Sequence, residues 1–166
     1  NGTLTLSGIN TFTGGVTLNA GTLNINNTQA LGTVAGTFII NGGTIDNTTA
    51  GEITTLNYPM TWGGDFAFTG TQSLNLGTGA TSMSAARQVT VNGSKTLTVG
   101  GVISGTGFSL TKAGTGTLIL SGANTYSGDT VINAGTLQLG AVDVIPYGAG
   151  KGNVSVTGTL NLAGFN

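Results

Sequence analysis

Residues 116–140 read GTLILSGANTYSGDTVINAGTLQLG, and residues 2–26 read GTLTLSGINTFTGGVTLNAGTLNIN, with fourteen of the twenty-five aligned residues identical. A match of this length between two parts of one chain marks a repeat architecture, and the repeat decides the fold. Within each copy apolar residues alternate with Thr, Asn or Ser, as in Leu118/Leu120 and Leu137/Leu139. That period of two belongs to strands with one apolar face.

A shorter unit recurs inside the long one: apolar-x-apolar, a turn containing Gly, then x-apolar-x-apolar. Seven copies are read, at Val16–Leu18 with Thr22–Ile25, Phe38–Ile40 with Thr44–Asp46, Phe66–Phe68 with Ser73–Leu76, Val89–Val91 with Thr96–Val99, Phe108–Leu110 with Thr117–Leu120, Thr130–Ile132 with Thr136–Leu139, and Val154–Val156 with Thr159–Leu162. Their mean spacing, about 23 residues, lies in the range of solenoid repeats. One such unit buries too few side chains to offset its own ordering entropy, so successive units must stack and pair their backbones. The expected fold is all-β, a single-stranded parallel β-helix (β-solenoid) of about 7–8 rungs, running as one segment over 1–166 with repeat copies at 2–46 and 116–163. Residues 47–70, with Tyr58 and Trp62, read as an insertion.

Glycine pairs such as Gly42-Gly43 and Gly100-Gly101 are placed at corners, and Asn19, Asn41, Asn92 and Asn133 at the turn between paired strands, where Asn tolerates left-handed backbone and can form a ladder. Thr22, Thr44, Ser73, Thr96, Thr117, Thr136 and Thr159 hold one position in successive units and are expected to form a hydroxyl ladder.

Composition removes whole classes of function. Only 5% of residues are charged, the net charge is −1, and Arg87, Lys95, Lys112 and Lys151 stand singly, so no basic stripe serves a nucleic acid. Apolar runs fall far short of the ~20 residues that cross a bilayer as a helix. Without His or Cys, nucleophile–base pairs and zinc sites of the usual kinds have no ligands. The five acids, Asp46, Glu52, Asp65, Asp129 and Asp143, form no visible pair, although Asp46 and Asp65 lie about one repeat apart. No catalytic, cofactor or metal site is assigned.

The stretch 116–140 closely resembles the passenger-associated transport repeat of bacterial autotransporters, through Gly116, Thr117, Leu118, Leu120, Ser121, Gly122, Asn124, Thr125, Tyr126, Gly128, Gly135, Thr136 and Leu137. Residues 2–26 resemble it too, with Phe12 for the usual Tyr, and 101–118 look like its common lead-in. The resemblance implies a right-handed β-helical passenger, secreted across the outer membrane of a Gram-negative bacterium through a C-terminal translocator β-barrel and left at the cell surface or released. Neither that barrel nor a signal peptide is read here, so a mature piece of a longer chain is expected. Its role would be a structural stalk. The alternative is an adhesin module for glycans or a host surface, with Tyr58 and Trp62 as the candidate ligand surface, although cover for the core is the favoured reading of these two rings. With no polar cap visible at either end, end-to-end self-association is expected as well.

Overall fold

A computed structural model describes residues 2–165. Among the described residues nineteen short strands and no helix follow one another, every pairing is parallel, and the chain coils into a β-solenoid of about seven turns.

The solenoid has three faces, one more than the two strands of each sequence unit. One face holds eight strands: β1 (Thr3–Leu6), β3 (Thr22–Ile25), β5 (Thr44–Asp46), β8 (Phe66–Phe68), β11 (Arg87–Val91), β14 (Leu110–Ala113), β16 (Thr130–Ile132) and β18 (Val154–Val156). A second holds five: β2 (Val16–Leu18), β4 (Phe38–Ile40), β7 (Met60–Trp62), β10 (Thr81–Met83) and β13 (Ile103–Ser104). The third holds six: β6 (Ile53–Thr54), β9 (Leu74–Asn75), β12 (Thr96–Val99), β15 (Thr117–Leu120), β17 (Thr136–Leu139) and β19 (Thr159–Asn161). In each full circuit the chain visits the five-, eight- and six-strand faces in that order.

The alternation read from sequence sets which side chains enter the core. Leu97, Leu118, Leu137 and Leu160 follow one another in register, as do Leu23, Ile45, Phe68 and Val91 on the eight-strand face. Residues 47–70 are no bulging insertion. They supply β6, β7 and β8, one strand to each face, and Met60–Trp62 pairs on both sides, with Phe38–Ile40 and Thr81–Met83.

Equivalent parts of the two long repeats stand on different faces. The first copy runs β1, loop 7–15, β2, β3; the second runs β15, loop 121–129, β16, β17. Thus β3 lies on the eight-strand face and its counterpart β17 on the six-strand face, five circuits and one further face along. Because all three faces bury alternate residues in the same way, one sequence pattern serves any of them.

This rotation divides the expected ladders. Thr22 and Thr44 stack on the eight-strand face, whereas Thr96, Thr117, Thr136 and Thr159 stack on the six-strand face. Asn41 donates to Asn19 at 2.9 Å on the corner leading into the eight-strand face, while Asn92 and Asn133 lie on the corner leaving it.

Candidate functional site

The loop of the second repeat, 121–129, crosses the five-strand side one rung beyond β13, where no strand continues that face. The Asn124 side chain takes the strand's place. Its Oδ1 accepts the Ile103 N–H at 2.7 Å and its Nδ2 donates to the Val144 carbonyl at 2.8 Å, so one buried carboxamide joins the preceding and following rungs as a peptide group of a central strand would. The Thr125 N–H returns to the Ile103 carbonyl at 2.9 Å. Asn10 makes the corresponding forward bond in the first repeat, to the Ala30 carbonyl at 2.8 Å, but on the six-strand side.

Around Asn124 the other repeat residues have packing roles. Tyr126 is fully buried and its hydroxyl bonds Thr130 Oγ1 at 2.6 Å, whereas Phe12, its counterpart without a hydroxyl, is 40% exposed. A Cβ on Gly122 would run into the Gly101 carbonyl of the rung before, and Gly135 turns the corner at φ 64°, a left-handed backbone that only glycine takes freely. Leu118, Leu120 and Leu137 lie in the core, and Thr117 and Thr136 stack outward. Gly116, Ser121 and Gly128 lie where neighbouring rungs meet, with Gly116 and Ser121 donating to the Val91 and Val99 carbonyls and Gly128 to that of Phe108.

Replacing Asn124 by Ala leaves the buried Ile103 N–H and Val144 carbonyl without partners, at ~1–3 kcal/mol each. A loss of roughly 3 kcal/mol is expected, seen as a lower melting temperature together with faster hydrogen exchange at the Ile103 amide. Asn124→Asp keeps the acceptor and should leave that amide the better protected of the two variants.

Tyr58 and Trp62 do not form a surface. Both side chains are fully buried: Tyr58 donates its hydroxyl to the Gly32 carbonyl at 2.8 Å, and the Trp62 ring meets Phe66 edge-on with centroids 5.2 Å apart. Their apolar bulk is worth more inside the rod than on its side, which removes them as a ligand platform. Three of the five acids are likewise spent on architecture, while Glu52 and Asp143 are exposed. Asp46 accepts from the N–H and hydroxyl of Thr71, Asp65 from the Gln88 N–H at 2.9 Å, and Asp129 from the Asn153 N–H at 2.7 Å. Among the described residues no group of three or more acids is placed to hold a metal ion.

Lys112 is the residue that the sequence reading missed. It is 1% exposed and occupies an inward position of β14, in register between Val89 and Ile132. Its Nζ donates to the carbonyls of Ala113, Gly114 and Ala134 at 2.7, 2.8 and 3.1 Å, so all three ammonium protons are used at one corner. The signal was present: Lys112 lies two residues from Leu110, in phase with the buried row.

Burial lowers the Lys112 amine from 10.5 to about 8, because an ammonium is disfavoured away from water. Between these values the unfolded chain binds a proton that the folded chain releases, so stability rises with pH across that window. Burial raises Tyr126 from 10.0 to about 12, and its contribution runs the other way, with stability falling as pH climbs through that range. The melting temperature is therefore expected to rise above pH 8, peak near the tyrosine's ordinary 10.0 and then decline. In Lys112→Met the rise should vanish and the decline remain, as a series of thermal melts would show.

Comparison with known proteins agrees with this architecture. The passenger-associated transport repeat model matches residues 1–25 and 110–139, so the chain carries two such repeats. A curated relative, the adhesin BmaC autotransporter of Brucella suis biovar 1 (strain 1330), is 38% identical over 161 residues, covering 96% of this chain and 4% of that protein. No solved structure matches the chain.

Proposed function

We propose that this chain, a β-solenoid built on passenger-associated transport repeats, is a structural, non-enzymatic stalk of an autotransporter passenger. It supports secretion and folding across the outer membrane of a Gram-negative bacterium and presents other segments at the cell surface or in the released protein. The observation that carries this reading is Asn124, which spends the repeat's most distinctive polar side chain on joining three successive rungs and leaves none of it for a ligand. A chain that threads the membrane unfolded can then add rungs one at a time outside, each laid on its neighbour. The partner in this reading is the C-terminal translocator β-barrel of the parent protein.

A second reading, an adhesive module for glycans or a host surface, draws on the name of the BmaC relative, of which this chain spans about 4%. One experiment separates the two. The parent protein lacking residues 1–166 is expressed, and protease accessibility on intact cells is scored beside adhesion to host surfaces. Lost display is the expected result; normal display with lost adhesion would overturn the stalk in favour of the adhesin.

A further inference from the structure

We propose that Asn92-Gly93 is a self-modifying site: the Gly93 amide displaces the Asn92 carboxamide nitrogen in the folded rod, and the isoaspartate that follows opens the chain to cleavage at Lys95. Two Asn-Gly pairs lie at interior corners, Asn41-Gly42 and Asn92-Gly93, and the dipeptide makes both candidates because glycine puts no Cβ in the path of its own nitrogen. The structure separates them.

Asn41 is held. Its Nδ2 donates to Asn19 Oδ1 at 2.9 Å in the rung before, and its Oδ1 fills the space where a Cβ on Gly63 would stand in the rung after. A carboxamide pinned from both sides cannot swing its Cγ onto the next nitrogen without breaking that bond. Asn92 is exposed, its Oδ1 leaning toward Gly114 of the next rung, and among the described residues its side chain makes no hydrogen bond. The Asn92 N–H is tied to the Phe68 carbonyl at 2.9 Å, which anchors the residue, whereas the Gly93 N–H has no partner among the described residues. Gly93 and Ser94 are exposed too, so hydroxide and water reach the reacting atoms from the solvent side.

The step needs no enzyme and no oxidant. Hydroxide takes the Gly93 N–H proton, the nitrogen attacks Asn92 Cγ, and the carboxamide nitrogen takes up a proton and leaves as ammonia, closing a succinimide ring. Water then opens the ring. Attack at Cγ gives aspartate with the backbone unchanged; attack at the Asn92 main-chain carbonyl carbon gives isoaspartate, whose main chain runs through Cβ and Cγ and gains a methylene. The corner has no room for that methylene. The Asn92 carbonyl lies against Gly70 of the preceding rung, where a Cβ would run into it, and 2.9 Å from where a Cβ on Gly116 of the following rung would stand. A rerouted main chain breaks this stack and draws the Val91 carbonyl away from the Gly116 N–H that it accepts at 2.8 Å. Lys95, on the same corner, then becomes a cleavage point in the middle of the rod.

The test holds the folded chain in mildly alkaline buffer for days and follows each site by peptide mapping. Trypsin, cutting after Arg87 and Lys95, isolates residues 88–95 with Asn92, and a chymotryptic digest isolates Asn41. The Asn92 peptide should take on the amide-to-acid mass change and split into aspartate and isoaspartate forms about fivefold faster than the Asn41 peptide, the factor for the hydrogen bond that Asn41 must first break. In urea the two rates should converge, and in the folded chain Asn19→Ala should move Asn41 toward the Asn92 rate. Native trypsin should cut aged protein after Lys95 sooner than fresh protein, while Asn92→Gln, whose longer side chain closes the ring far less readily, should age without that change. Equal rates at both sites in the folded chain, an Asn92 that reacts only in urea, or ageing that leaves Lys95 as resistant as before overturns the proposal.

Discussion

Leu118→Asp combined with Leu137→Asp will unfold the C-terminal rungs. The two leucines are buried and in register on the six-strand face, so the substitution stacks two carboxylates about one strand spacing apart, ~4.8 Å, inside an apolar core. Each buried charge without a partner costs several kcal/mol, and together they rival the ~5–15 kcal/mol that hold an entire domain. Because each rung is stabilised by its neighbours, the loss begins at β15 and β17 and spreads to β19, while rungs toward β1 keep their own contacts. Limited proteolysis should therefore release fragments from the C-terminal side, and in the parent protein surface display should fall. The control is one residue away. Thr117→Asp with Thr136→Asp places the same charges in the same register but on the outside, and should melt within a few degrees of wild type. Equal damage from both pairs would mean that the inward and outward assignment is wrong.

Trp62→Ala comes next in size. Trp62 is the largest fully buried side chain, flanked in register by Ile40 and Met83 and in edge contact with Phe66. Removing it empties the centre of the five-strand face, where closely paired backbones on both sides restrict collapse, at an expected cost of ~3–5 kcal/mol. At ~2–4 °C per kcal/mol for a chain of this size, the melting temperature should drop by roughly 10 °C or more. Trp62→Phe distinguishes packing from polarity. Trp62 Nε1 is buried without a partner, so phenylalanine loses ring volume but removes an unsatisfied donor, and most of the stability should survive. Trp62→Ala that melts like wild type would contradict the buried placement and return the residue to the surface.

Lys112 shows how local pattern and three-dimensional context part company. A lone lysine in a polar-looking stretch reads as solvated, yet its place two residues after Leu110 puts it in the core, and only three converging carbonyls make that tolerable. Two of those carbonyls come from its own corner and are local. The third, from Ala134, belongs to the next rung and has no signature near residue 112. For Tyr58 and Trp62 the sequence left core cover and a ligand surface both open, because the two flanking strands that bury Met60–Trp62 lie about twenty residues away on either side.

By itself the sequence determined that the chain is a parallel β-solenoid, which alternate residues enter its core, and that residues 116–140 repeat residues 2–26, since period-two alternation and a long self-match are properties of the chain alone. Only the tertiary structure decided that the rod has three faces, that the two repeats lie a third of a circuit apart, and that residues 47–70 are ordinary rungs rather than an insertion. The reason is geometric. Every face demands the same alternation, so the pattern marks a strand without naming its face; the face follows from the summed lengths of all intervening corners and loops, and that sum is settled only when each strand has found its neighbours above and below.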